Sequence, residues 1–193
     1  MKSNLLGFFS QNNPLKDKEK TQKKLTKLNI LGAKMEKQKK TVILPGSYDP
    51  VTLGHVEVIR RAAEIYERVY AVIFVNPEKK YHFSLDDRMR MLMLACEDFD
   101  NVLVSESAGL VIDYMREHDI NKIIKGYRNE ADLAYEKIQA EWNCAHSGYE
   151  TELWLSDEKY SSISSTLVRE RIAAGESLSD LVPEAVESYI KSL

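Results

Sequence analysis

Residues 42–55 read V-I-L-P-G-S-Y-D-P-V-T-L-G-H, and the fold can be worked outward from them. Val42, Ile43 and Leu44 form a short apolar run of the kind that makes a buried strand, and Gly46 lets the backbone turn. From Val56 to Tyr66 the apolar residues recur at helical spacing. His55 therefore stands near a helix N-terminus. Unpaired backbone N–H groups and the positive end of the helix dipole favour an anion there before any side chain contributes. The geometry suits a nucleotide phosphate.

The rest of the chain continues the alternation that a parallel α/β sheet requires. Val69–Val75, Val102–Ser105, Lys122–Lys125 and Thr151–Leu155 read as four further strands. Ser84 with Asp87 reads as a capping box ahead of a helix containing Met89–Cys96, and Leu110–His118 supplies the next crossover. Leu167–Ala174 reads as a helix ended by Gly175. The expected fold is α/β: a Rossmann-like, doubly wound, parallel five-stranded sheet with helices on both faces. In such sheets ligands gather beyond the carboxyl ends of the strands, where strand order reverses, and Gly46, Asn76 and Gly126 should emerge there.

A chain of 193 residues, 44% of them hydrophobic, is enough for one domain with a sizeable core. No apolar run approaches the roughly 20 residues needed to cross a bilayer, and Leu5–Phe9 is too short for a signal-peptide core. A cytoplasmic protein without membrane contact is expected. Cys96 and Cys144 lack C-x-x-C spacing and read as reduced thiols, with no disulfide or zinc site. Residues 1–40 carry eleven lysines against Asp17, Glu19 and Glu36, a net of +8 in a chain of net −3, so residues 41–193 hold −11. An acidic body argues against nucleic acid as the main partner. The lysine-rich segment has no regular apolar spacing and no aromatic interleaving, and reads as a solvated, disordered extension to a domain at 41–193.

Three separated motifs carry a family resemblance. Residues 46–55 resemble G-[ST]-[FY]-D-P-x-T-x-G-H, the signature of phosphopantetheine adenylyltransferases, which are nucleotidyltransferases with an H-x-G-H or T-x-G-H motif. Thr52, Gly54 and His55 match the T-x-G-H form. Residues 125–136, K-G-Y-R-N-E-A-D-L-A-Y-E, are similar to the family's R-G-L-R-x-x-x-D-x-x-Y-E, with Gly126, Arg128, Asp132, Tyr135 and Glu136 matching. Residues 162–170, S-I-S-S-T-L-V-R-E, are similar to I-S-S-[ST]-x-[VI]-[RK]-E. The motifs occur in the family's order, and the resemblance covers nearly everything after Met35. Family members begin a few residues before the first strand, so the first 34 residues read as an upstream extension with no assigned function.

The resemblance implies transfer of the adenylyl group of ATP to 4'-phosphopantetheine, giving dephospho-coenzyme A and pyrophosphate, with Mg²⁺ arriving on ATP and a homohexameric assembly. In-line attack on the α-phosphorus needs no covalent nucleophile, so catalysis rests on positioning and on cationic groups that stabilise charge on the phosphate oxygens. His55 is the first choice as a donor to the α-phosphate; Ser47 bridges acceptor phosphate and nucleotide; Lys79 meets the acceptor phosphate; Arg128 reaches the nucleotide phosphates. Taken alone, a histidine in that position can cap or pack, Ser47 can shape the turn, and Lys79 can be a solvated loop lysine.

By the same resemblance the ATP contacts include Tyr48, Gly126, the backbone of Tyr127, Glu136, Tyr160, Ser161, Ser162, Ile163, Ser164, Ser165 and Thr166, while Val111 and Lys125 join Ser47 and Lys79 at the pantetheine side. The Ser164–Thr166 cluster would hold the β- and γ-phosphates; by itself it is equally an N-cap. Lys125 departs from the family's arginine, keeping the charge but losing the two-pronged geometry. Asp132 and Tyr135, readable as capping and packing groups, are left outside the core site. His82, His118 and His146 are isolated and read as surface or packing residues rather than metal ligands. Two other classes remain open: a nicotinate or nicotinamide mononucleotide adenylyltransferase, against which the 125–136 segment speaks, and a noncatalytic nucleotide-binding protein, which would predict loss of His55 or of the cationic groups.

Overall fold

The computed structural model describes residues 38–193, and the lysine-rich segment lies outside them apart from residues 38–40. Five strands form one sheet: β1 (Gln38–Gly46), β2 (Tyr66–Phe74), β3 (Val102–Ser107), β4 (Lys122–Tyr127) and β5 (Glu150–Leu155). All pair in parallel in the order β3-β2-β1-β4-β5, as expected of a doubly wound α/β domain. The chain builds outward from β1 to β3, then crosses back to lay β4 on the other side of β1. The switch point therefore falls between β1 and β4.

β1 is buried on both faces, which is why its apolar residues run consecutively instead of alternating. Val42 and Leu44 enter one core, while Ile43 enters a second core with Val72, Ile123, Tyr114, Met115 and Ile120. The first core is closed by helices α1 (Leu53–Ile65), α2 (Leu85–Ala95), α5 (Ser165–Ala174) and α6 (Glu184–Ile190), through residues such as Ile59, Leu92, Val168 and Val186. The second is closed by α3 (Val111–Glu117). The remaining helix, α4 (Glu130–Ser147), packs beside β4 and β5 but contains no buried residue. Among the described residues, no helix is long and apolar enough to cross a membrane.

Helix α1 starts at Leu53, three residues before the run that its apolar spacing picks out, because Thr52 is an N-cap with extended backbone. His55 is consequently inside the first turn. Ser84 caps α2, its Oγ accepting from Asp87 N at 3.1 Å, and Gly175 ends α5 at φ 70°, a left-handed position that suits glycine. Cys96 is buried and Cys144 exposed, both as free thiols.

Candidate active site

The carboxyl ends of β1 and β4 open on two adjoining cavities. The first, about 380 Å³, is walled by Ser47, Tyr48, His55, Lys79, Lys125, Gly126, Arg128, Glu136 and Ile163–Thr166 among others. The second, about 490 Å³, shares Ser47, Lys79, Lys125, Tyr135 and Glu136 with it and extends past Val111 towards Trp142 and Asn143. All three sequence motifs thus converge on the switch point. Tyr127, Tyr160, Ser161 and Ser162 line neither cavity; Ser161 Oγ is spent on the carbonyl of Glu158 at 2.7 Å, and Tyr160 packs against the first core.

Two glycines permit the close approach. A Cβ on Gly46 would fall 2.9 Å from the ring of Tyr48, and one on Gly126 would fall 3.0 Å from Cγ2 of Val58. Tyr48 itself has φ 45°, in the left-handed region that side chains seldom adopt. Burial of its ring and a 2.8 Å bond from its hydroxyl to the carbonyl of Leu44 hold it there. Its hydroxyl is therefore committed, and burial pushes its pKa upward.

His55 closes a capping box with Thr52. The N–H of Thr52 donates to Nδ1 at 3.1 Å, so Nδ1 is the unprotonated nitrogen and the ring proton resides on Nε2. The Thr52 hydroxyl, 2.9 Å from the same nitrogen, can then act as a second donor. Dense protein surroundings, followed by the charges of Arg128 and Lys125, push the His55 pKa down to about 4. The ring is a neutral Nε2–H donor at the cavity wall.

Cations surround it, each held by a protein group. Lys79 Nζ donates to Ser47 Oγ at 3.1 Å. Lys125 lies 3.3 Å from Glu136 and 3.3 Å from the carbonyl of Pro45. Arg128 is forked by Asp132, at 2.8 and 3.2 Å, and donates to the carbonyl of Ile163 at 3.0 Å. Five N–H donors are available to a guanidinium, so these three bonds leave two for a ligand. At the start of α5, Ser164 Oγ caps Leu167 N at 3.0 Å and Ser165 Oγ donates to the carbonyl of Pro50 at 2.8 Å. The N–H groups of Ser165 and Thr166, in the first turn, have no intrahelical acceptor to meet.

Several residues of this arrangement have roles that the sequence alone does not assign. Asp132 is the counter-ion that orients Arg128, and Arg169 donates to the carbonyl of Asp49 at 2.6 Å, tying α5 to the glycine turn. The Asp49 carboxylate accepts from the N–H groups of His82 and Phe83 at 2.9 and 3.0 Å. Arg88 is fully buried beneath the turn and donates to the carbonyl of Ser47 at 2.9 Å. It had one readable signal: the buried side of α2 runs Arg88, Met91, Leu92, Ala95, so the arginine takes a core position at helical spacing.

Residues 43–171 match the family described as cytidylyltransferase-like. The chain is similar to the phosphopantetheine adenylyltransferase of Thermobifida fusca (strain YX), 40% identical over 151 residues that make up 78% of this chain and 92% of that protein. The protein of the same name from Clostridium novyi (strain NT) is 37% identical over 148 residues, 76% of this chain and 92% of that one. Among solved structures, a provisionally named nicotinate-nucleotide adenylyltransferase from Vibrio parahaemolyticus superposes with a TM-score of 0.60 at 14% identity, covering 80% of this chain and 93% of that one. At that identity the likeness concerns the fold.

Proposed function

As this chain belongs to the cytidylyltransferase-like nucleotidyltransferases and, among them, to the phosphopantetheine adenylyltransferases, we propose that its two adjoining cavities divide ATP from the pantetheine arm. The enzyme transfers the adenylyl group of ATP to 4'-phosphopantetheine, giving dephospho-coenzyme A and pyrophosphate in coenzyme A biosynthesis. An oxygen of the acceptor phosphate attacks the α-phosphorus, the bond from that phosphorus to the bridging oxygen breaks, and pyrophosphate departs with the electron pair. No bond to the protein forms.

In this proposal the nucleotide phosphates lie along the first cavity, with the β- and γ-phosphates on the free N–H groups of Ser165 and Thr166 and the two spare donors of Arg128. Nε2–H of His55 donates to an α-phosphate oxygen as negative charge gathers there. Ser47 and Lys79 sit in the walls of both cavities, where they can hold the acceptor phosphate in line, with Lys125 beside it. The pantetheine arm runs past Val111 in the second cavity. Mg²⁺ enters on the triphosphate: Asp49 and Asp132 accept hydrogen bonds from protein donors, Glu136 is ion-paired with Lys125, and the described residues contain no cluster of metal-ligating side chains. A cytoplasmic location and a homohexameric assembly belong to the same proposal.

The observation that carries this reading is the locked tautomer of His55, a neutral donor facing the cavity where the three motifs meet. The test is the reverse reaction. Dephospho-coenzyme A with pyrophosphate and magnesium should yield ATP and 4'-phosphopantetheine, identified by mass. ATP formed only from a nicotinamide dinucleotide, and not from dephospho-coenzyme A, would overturn it.

A further inference from the structure

We propose that Arg88, buried behind the glycine turn, is a positioning residue for the acceptor phosphate, acting through the carbonyl of Ser47; the inference rests on the adenylyl-transfer reading above.

Arg88 is 2% exposed, and no described carboxylate forms an ion pair with it. Its Nε finds no hydrogen-bond acceptor. A buried guanidinium without a counter-charge weakens a fold, and an apolar residue of similar volume would serve the helix better. What surrounds it points to the phosphate site instead. Its Nη1 donates to the carbonyl of Ser47 at 2.9 Å, and its Cζ lies 3.9 Å from the centroid of the Tyr81 ring. Lys79 Nζ lies 5.6 Å from the same centroid, and its ammonium donates to Ser47 Oγ. One aromatic ring therefore steadies both cations that grip Ser47.

A trans peptide is planar, with C=O and N–H pointing to opposite sides. By drawing the carbonyl of Ser47 backwards, Arg88 turns the N–H of Tyr48 to the other side of that peptide. Both residues line the first cavity, and Tyr48 does so with its side chain buried and its hydroxyl already bonded. That N–H has no partner among the described residues. The Tyr48 backbone is at φ 45°, so a peptide that would otherwise relax is held in the orientation a phosphate can use. The uncompensated charge of Arg88 stands directly behind it, where an incoming phosphate dianion supplies the missing counter-ion.

The experiment compares wild type, Arg88→Met and Arg88→Lys for kcat and KM with 4'-phosphopantetheine, and for equilibrium binding of unphosphorylated pantetheine. Arg88→Met should unfold at the same temperature as wild type or higher. Its kcat/KM for 4'-phosphopantetheine should fall about ten- to a hundredfold, the usual effect of losing one charged hydrogen bond, while unphosphorylated pantetheine binds as before. Arg88→Lys should restore part of the loss. Equal weakening of phosphorylated and unphosphorylated acceptor, or no loss in Arg88→Met, would overturn the assignment. If Arg88→Met does not fold, the same comparison is read on Arg88→Lys, with a smaller but still phosphate-specific loss expected. Wild type that ignores 4'-phosphopantetheine would instead sink the functional reading itself.

Discussion

A histidine and a lysine show how one side chain's environment sets its chemistry. His55 is kept neutral by burial and by two nearby cations, with a pKa near 4 against an ordinary 6.5. Between those values the unfolded chain binds a proton on this ring that the folded chain does not. Stability from this group is therefore complete above pH 6.5 and falls as pH is lowered towards 4. In thermal unfolding across that window, wild type should lose more stability than His55→Gln; parallel curves would show that the ring is not held neutral. Lys125, where the family has arginine, is tied to Glu136 across 3.3 Å with both side chains largely covered. Removing one member of such a pair strands the other's charge. Lys125→Met should destabilise more than Lys125→Met combined with Glu136→Gln, and a double-mutant cycle by denaturant unfolding measures the difference.

Elements place these groups, and close packing holds the placement. Helix α1 carries His55 and leans on β4 where Gly126 has no side chain. Alanine there would press on Val58, 3.0 Å away and buried. Overpacking of this kind typically costs about 1–3 kcal/mol. Gly126→Ala should lower both stability and kcat, and adding Val58→Ala should recover much of the kcat; no recovery would mean that α1 is not the part displaced. The cores of the strands, the helix starts at Ser84 and Ser164 and the stop at Gly175 are local in sequence, so capping and apolar spacing reveal them, whereas apolar spacing alone starts α1 at Val56, past its cap at Thr52, and β2 at Val69, past its first residue Tyr66. Arg88 and Asp49 were harder to read. Their partners lie 41 and 33–34 residues away, and only the folded turn brings them together. Asp132 has a local partner in Arg128, but its cap-like position masked that role.

At the scale of the molecule, α4 presents an uncovered apolar surface among the described residues. Along α4, Tyr135, Ile138 and Trp142 are 62%, 68% and 44% exposed, and no residue of that helix is buried. Tyr135 and Trp142 also wall the second cavity, so whatever covers this face borders the acceptor site. If the proposed homohexamer uses it, Ile138→Asp should lower the mass in solution measured by light scattering, whereas an unchanged assembly would place the subunit contact elsewhere. Sequence motifs converge correctly on the switch point, but assembly depends on surfaces that apolar spacing alone does not assign. The most direct test of the central claim is pyrophosphate release with ATP and magnesium, comparing 4'-phosphopantetheine, nicotinate mononucleotide and no acceptor, for wild type and His55→Ala. Release should depend on 4'-phosphopantetheine and fall about 10²- to 10³-fold in the variant. Release that follows the mononucleotide, or that survives loss of the imidazole undiminished, would contradict the account.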